Sequence, residues 1–384
     1  MSVFLWFRDL AEWKDMLMQF LFEAQQSEIQ KFDSPAGIDY AYFKFGRDRH
    51  GGALRTPSGP RGSSGKEVAS GVADKPARTL LSTMNDPSNS TPPVCSYEGS
   101  DYQQSFWEAG QRQYEDAVEA IAIRRLLPAK GELLLELGAG AGRNTPRYGG
   151  YERVVLLDYS RTQLLQARER LGDNPSYTYV AADVYKLPFV TSLFDGATMI
   201  RTLHHMAEPG LALQSVRRVL AQDAIFILEF ANKRNLKAVF RYLSGKQAWN
   251  PFSPEQVEFA ALNFDFHPKT IRRLLTACNF KIERQLAVSY FRVGWLKQHL
   301  PLGFLVGLDS ALQWTGAFAQ YSPSIFTRAR ALGAAPKAQP GDFFGCPVCG
   351  ATLAESASSQ TCPGCGNFWE YSEGIYDFRI KPVA

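Results

Sequence analysis

The stretch that most restricts how this chain folds is LLLELGAGAGR, residues 133–143, where an apolar run closes on one acid and glycine then takes every second position. Glycine tolerates φ > 0 and has no Cβ, so backbone N–H groups in such a segment can crowd against a ligand. A strand that ends this way and leads into a helix makes a pocket for a nucleotide-like molecule. Residues 133–137 are therefore read as a buried strand and the glycines as the turn at its carboxyl end.

From residue 102 onward, apolar runs of strand length alternate with segments of helix length. Helices are expected at 105–127, 162–171, 211–220 and 268–278. Strands are expected at 133–137, 154–157, 177–181, 194–200, 225–230 and 281–288, with a closing edge strand at 322–332. This alternation predicts the α/β class: a doubly wound, mostly parallel seven-stranded sheet, Rossmann-like, with helices on both faces. Two insertions interrupt it: 244–266, aromatic and proline-containing, and 294–321, apolar. Residues 300–319 have the length of a membrane span, but Asp309 at their centre carries a typical cost of about 2.5–3.5 kcal/mol in a bilayer. A buried or substrate-facing helix pair is expected instead, and no transmembrane segment.

Three ligands suit the glycine loop: a dinucleotide, a triphosphate, or S-adenosylmethionine. No Lys-Ser or Lys-Thr follows the glycines, as the triphosphate pattern requires. The dinucleotide fingerprint wants glycine where Arg143 stands, so that ligand stays open on weaker grounds. Acids close three successive strands: Glu136, Asp158 and the Asp183 of AAD. In an open parallel sheet, ligands bind beyond the carboxyl ends of the strands. An acid at the tip of the second strand can accept from both ribose hydroxyls, the role expected of Asp158. Asp183 could accept from an adenine amino group while the Val184 N–H donates to the ring. Each acid alone also suits a helix cap, Asp158-Tyr159-Ser160 in particular.

The segments ELGAGAGR, VVLLDYS, AADVYKLPF and FDGATMIRTLHHM, followed by a helix running into RRVL, resemble the successive motifs of class I S-adenosylmethionine-dependent methyltransferases. They are most similar to the branch containing the quinone-biosynthesis C-methyltransferases. The resemblance covers residues 114–286. It implies that Glu136, Gly138, Ala139 and Gly140 line the methionine end, Asp158 and Tyr159 the ribose, Asp183 and Val184 the adenine, and Arg201 the space beside the sulfonium. One departure is visible: where the family usually has Lys-Pro-Gly-Gly before its fifth strand, this chain reads AQDA, 221–224.

Methyl transfer from a sulfonium is an in-line displacement, so the protein chiefly positions the acceptor and excludes water. A base is needed only where the acceptor loses a proton, and His204, beside His205, is the candidate. In the resembled family, histidines here also serve packing. Arg112 and Tyr114 are candidates to close over the cofactor's carboxylate. Trp249, Phe252, Phe264, Phe266, Trp295 and Trp314 in or near the insertions suggest an apolar, aromatic or lipid-like acceptor, or ordinary core.

CPVCG at Cys346 and Cys349 is answered by CPGCG at Cys362 and Cys365. Two such knuckles offer four thiolates to one ion, the arrangement of a structural zinc site. The tail NFWEYSEGIYDF resembles small zinc-ribbon proteins that activate translation-related methyltransferases. That kinship raises RNA or a translation protein as a partner, against the small-molecule or lipid-like acceptor suggested by LHH and the apolar insertions. A non-catalytic adaptor, with a zinc ribbon carried on a methyltransferase fold, is the third reading.

The expected organisation is a poorly ordered N-terminal extension (1–83), with disorder expected over 46–75 where large apolar residues are few, a methyltransferase domain (84–335), a linker (336–342) and a zinc ribbon (343–384). Met84 is a candidate for the true start of translation, with the upstream part then an artefact of start-site choice. Residues 1–15 lack a signal-peptide pattern, which predicts a cytoplasmic protein with at most peripheral membrane contact. A net charge of +4 over 384 residues is far from that of a dedicated nucleic-acid binder.

Overall fold

The glycine-loop strand is the middle of a broad sheet. The computed structural model describes residues 92–95, 98–99, 112–333 and 335–380, all within one compact unit, Asn89–Ala384. The expectations for 1–83 lie outside the described residues.

Helix α1 (Gln113–Leu126) leads into β1 (Gly131–Leu137), then β2 (Tyr151–Asp158), α2 (Arg161–Leu171), β3 (Tyr177–Ala181) and β4 (Phe194–Met199). After α3 (Pro209–Val219) come β5 (Leu220–Ala231), α4 (Leu236–Leu243) and a hairpin of β6 (Val257–Ala260) and β7 (Asn263–Asp265). Next are α5 (Pro268–Ala277), β8 (Phe280–Val288), α6 (Gly294–His299), α7 (Leu302–Leu312) and β9 (Ser324–Ala331). Local chemistry sets the bounds. Ser160 Oγ accepts from the Gln163 N–H at 3.3 Å to start α2, and Gly172 at φ +72° ends it.

Strands β3-β2-β1-β4-β5 lie in that order, all parallel, followed by β9 and β8, with β9 antiparallel to both neighbours. This is the doubly wound seven-stranded sheet expected. Its strands read as continuous apolar runs because both faces are covered. In β1, Leu135 and Leu137 pack into the layer with α3 and α5, and Leu134 into the layer with α1 and α2. The AQDA segment is not a separate turn but part of β5. The register with β4 jumps between Phe194↔Leu220 and Gly196↔Ile225, and Asp223 takes φ +63°.

The apolar insertion is two short helices, and no described helix is long and apolar enough to cross a membrane. Asp309 is buried on α7, accepting from Tyr114 Oη at 2.7 Å and the Tyr290 N–H at 2.8 Å. Tyr114 thus ties α1 to this insertion.

The C-terminal segment enlarges the sheet. Beyond β10 (Phe344–Gly345) and β11 (Thr352–Leu353), β12 (Gln360–Thr361), β13 (Phe368–Ser372) and β14 (Ile375–Asp377) continue it to ten strands, β14 pairing parallel with the β3 edge. Phe343 and Phe344 are buried against Phe189 and Phe194 in the same layer as α3. An otherwise open edge strand is covered in this way.

Candidate functional site

Gly138, Gly140 and Gly142 all hold positive φ, at +68°, +54° and +70°. At Gly138 a Cβ would also run into the Thr202 hydroxyl, which donates to the Leu137 and Ile200 carbonyls, both at 3.1 Å. At Gly140 a Cβ would approach only Gln163, at 3.9 Å, so the loop backbone there borders open space. That space is a cleft at the carboxyl edge of the sheet, lined by Gly138, Ala139 and Gly140 from the loop, Asp158 and Tyr159 after β2, Asp183 and Val184 after β3, and Arg201 after β4. Arg143, Thr202, His205 and Met206 also line it.

Asp158 braces the loop it faces: Oδ2 accepts from the Gly140 N–H and Oδ1 from the Ser160 N–H, each at 2.9 Å. Burial raises its carboxyl above the ordinary range, against the pull of those N–H groups. Each oxygen keeps a second lone pair, so the carboxylate can still accept from a diol. Asp183 Oδ1 accepts from the Tyr185 N–H at 2.9 Å, capping a short turn that presents Val184.

Glu136 and His204 are not among the cleft-lining residues. Glu136 is buried behind the loop, accepting from Thr145 Oγ1 at 2.6 Å, and burial pushes its pKa up to about 7. His204 lies on the turn after β4, its ring 4.0 Å from that of His205. Burial, then His205, Arg201 and Arg292, depress its pKa well below the usual imidazole value. His205 borders the cleft, and its Nδ1 donates to the Leu262 carbonyl at 3.1 Å.

Arg201 adopts φ +55°, and its N–H donates to Glu229 Oε2 at 2.9 Å. Its guanidinium Nε donates to Glu119 Oε1 at 2.7 Å, and Arg143 donates to the other Glu119 oxygen at 2.8 Å. Burial disfavours charge on Glu119, but Arg201 and Arg143 outweigh it and hold its pKa below the usual carboxylate range. One buried acid of α1 therefore positions both cleft arginines. Sequence reasoning missed it, because an acid on an amphipathic helix carries no signal of its tertiary partners.

Of the residues expected to close the cofactor site, Tyr114 is spent on Asp309 and Phe291, and Arg112 lies 3.6 Å from Glu115. Phe264 and Phe266 are core side chains. The Trp314 ring lies under Arg125 and Arg284, while Phe252, Trp295 and Trp314 remain exposed. Trp249 sits 5.9 Å from Lys233 Nζ.

The four cysteines converge. Their sulfurs all lie within 4.8 Å of one another, with Cys346–Cys365 at 3.7 Å and Cys349–Cys362 at 3.5 Å. Four sulfurs about 2.3 Å from a tetrahedral ion would stand about 3.8 Å apart, so the thiols fit a metal. Gly350 and Gly366 turn the knuckles at φ +77° and +75°, and Asn367 Nδ2 donates to Cys365 Sγ at 3.1 Å. This segment also reaches the cleft. The Phe378 N–H donates to the Ala181 carbonyl at 2.8 Å, just before Asp183, and Arg379 contacts the Tyr159 carbonyl at 3.4 Å and Glu98 at 3.1 Å.

Residues 135–228 match the family described as a methyltransferase domain. The chain is 30% identical over 183 residues to the ubiquinone/menaquinone biosynthesis C-methyltransferase UbiE of Pseudomonas savastanoi pv. phaseolicola, covering 43% of this chain and 69% of that one. It is 34% identical over 110 residues to the demethylmenaquinone methyltransferase of Clavibacter sepedonicus, covering 28% and 45%. It is 31% identical over 135 residues to the O-methyltransferase cnsE of Penicillium expansum, covering 32% and 48%. The chain thus spans about half the length of the latter two relatives. Among solved structures, one from the complex of the Haloferax volcanii Trm112 methyltransferase activator with a methyltransferase is similar with a TM-score of 0.44 and 14% identity, over 60% of this chain and 96% of that one. An S-adenosylmethionine-dependent methyltransferase from Listeria monocytogenes gives 0.43 and 16%, over 57% and 99%.

Proposed function

The chain belongs to the S-adenosylmethionine-dependent methyltransferase family, and from that premise we propose that it transfers the methyl group of S-adenosylmethionine to a small-molecule or lipid-like acceptor. The observation that carries this reading is the gathering of Asp158, Asp183 and the left-handed glycines around one cleft. In it Asp158 accepts from the ribose hydroxyls, Asp183 and the Val184 N–H hold the adenine edge, and the Gly138–Gly140 backbone seats the methionine end. Arg201, fixed by Glu119 and Glu229, borders the reacting centre. Glu136 acts from behind, holding Thr145 and with it the shape of the loop. When bound, the cofactor supplies an activated methyl on sulfur. The protein's part is to bind it, orient the acceptor in line and keep water out.

The acceptor class rests on the relatives named for quinone biosynthesis and for O-methylation. We assign zinc to the four cysteines, as a structural ion that fixes the C-terminal segment against β3.

The test is incubation of the purified protein with methyl-radiolabelled cofactor and cell extracts separated into RNA, protein and lipid or small-molecule fractions. Label in the lipid or small-molecule fraction is expected. Label confined to RNA or protein would replace this acceptor with one addressed through the zinc-binding segment. No label and no cofactor binding would leave the adaptor reading.

A further inference from the structure

The tips of β4, β5 and β8 share one edge, because β5 is parallel to β4 while β8 and β5 are both antiparallel to the β9 between them. β7 is fastened to the tip of β5: the Phe266 N–H donates to the Ala231 carbonyl at 2.8 Å and the Lys233 N–H to the Phe266 carbonyl at 3.1 Å. The same hairpin meets the turn after β4, where the Leu262 carbonyl accepts from His205. Asp265, the last residue of β7, therefore stands beside the cleft-lining turn at the carboxyl edge of the sheet.

Asp265 is half-buried, and among the described residues no hydrogen bond reaches its carboxylate. Its charged neighbours are Arg292 from the segment after β8, Glu229 on β5 and Lys233 after β5. Two of these are committed elsewhere. Glu229 accepts from the Arg201 N–H and from Ser324 Oγ, and Lys233 Nζ donates to Ser253 Oγ at 3.0 Å and the Glu255 carbonyl at 2.6 Å. Arg292 lies 3.8 Å from Glu115, its buried Nε without a hydrogen-bond partner among the described residues. His267, two residues on, uses Nδ1 to accept from the Lys269 N–H. A carboxylate that accepts no hydrogen bond among the described residues thus lies in the field of the Arg292 guanidinium, whose Nε is ion-paired with Glu115 but hydrogen-bonded to no described residue.

Resting on the methyltransferase reading, we infer that Asp265 is the base that takes the proton of an acceptor hydroxyl, in an acceptor site bounded by the turn after β4, the tip of β7 and Arg292. The acceptor O–H bond breaks and its proton passes to the Asp265 carboxylate. The freed oxygen pair bonds the methyl carbon while the C–S pair stays on sulfur, leaving a neutral thioether. Arg292 faces the oxygen as charge builds on it. The protonated Asp265 returns its proton to water as product leaves. Burial first, then Glu229, lifts the Asp265 pKa to about 6, which suits a base near neutrality, whereas His204 is too weakly basic for the task.

The experiment uses the full chain, S-adenosylhomocysteine for cofactor binding and catechol as the probe acceptor with labelled methyl donor. Catechol methylation by the unaltered protein is expected to rise with pH through a limb near 6. D265N should lower kcat by about 10²–10⁴-fold, erase that limb and leave S-adenosylhomocysteine affinity unchanged, with D265E restoring part of the rate. Should D265N not fold, the ¹³C shift of the Asp265 carboxyl decides. A midpoint near 6 supports the assignment, and one near the unperturbed value of about 4 overturns it. Unchanged kcat and limb in D265N would overturn it, as would cofactor binding without any transfer to catechol. Failure to bind S-adenosylhomocysteine would strike the methyltransferase reading instead.

Discussion

Glu136 shows how much one side chain can shape the pH response of this fold. Burial lifts its pKa to about 7, so between roughly pH 4.5 and 7 the folded protein holds a proton that the unfolded chain releases. The folded state then binds more protons, and this group makes stability fall as pH rises through that window. Thermal unfolding from pH 5 to 8 should show the decline, and Glu136→Gln, which keeps an acceptor for Thr145, should flatten it. Gly138→Ala is expected to cost about 1–3 kcal/mol, since the new methyl displaces Thr202 and the backbone sits at φ +68°. A denaturant midpoint checks it. That Gly138, Asp158 and Asp183 meet at one cleft was legible because their order along the chain is itself the signal. Glu119 was not, because its meaning comes from which arginines the fold brings to it.

At the scale of elements, the C-terminal segment completes the sheet. The cysteine spacing announced a metal knuckle pair, but nothing in the local pattern revealed that β14 would pair with β3 or that Phe343 and Phe344 would join the main core. Edge pairing is a property of two distant segments, and each alone reads as an ordinary short strand. The arrangement joins the four-cysteine segment to the cleft through Arg379 and Phe378. Removing the metal with a chelator, or substituting Cys362→Ser, should lower the melting temperature of the whole chain and weaken cofactor binding with it. Arg379→Ala is expected to weaken S-adenosylhomocysteine binding by about two- to tenfold, the worth of two partly exposed charged contacts, to the Tyr159 carbonyl and to Glu98. Calorimetry with the zinc-loaded protein measures it. The AQDA segment illustrates a different difficulty. Its departure from the usual turn was visible, yet only the pairing of β4 with β5 makes it a bulge.

For the whole molecule, the division of labour follows the sheet. Its carboxyl edge carries the cleft, its β3 edge is sealed by the four-cysteine segment, and the insertions build the ground beyond β5 and β8. Alternation of strands and helices made this architecture readable, while the insertions, lacking any repeat, did not disclose which of their aromatics would be core. The central claim is that Asp158 holds an adenosine-bearing methyl donor in the cleft. Isothermal titration of S-adenosylmethionine into the protein and into Asp158→Ala, both checked for folding by thermal melting, tests it most directly. The account predicts one-to-one binding at about micromolar strength that weakens at least about 30-fold in the variant, the scale of two lost charge-assisted hydrogen bonds. Absence of binding to the unaltered protein, or equal binding by the folded variant, would contradict it.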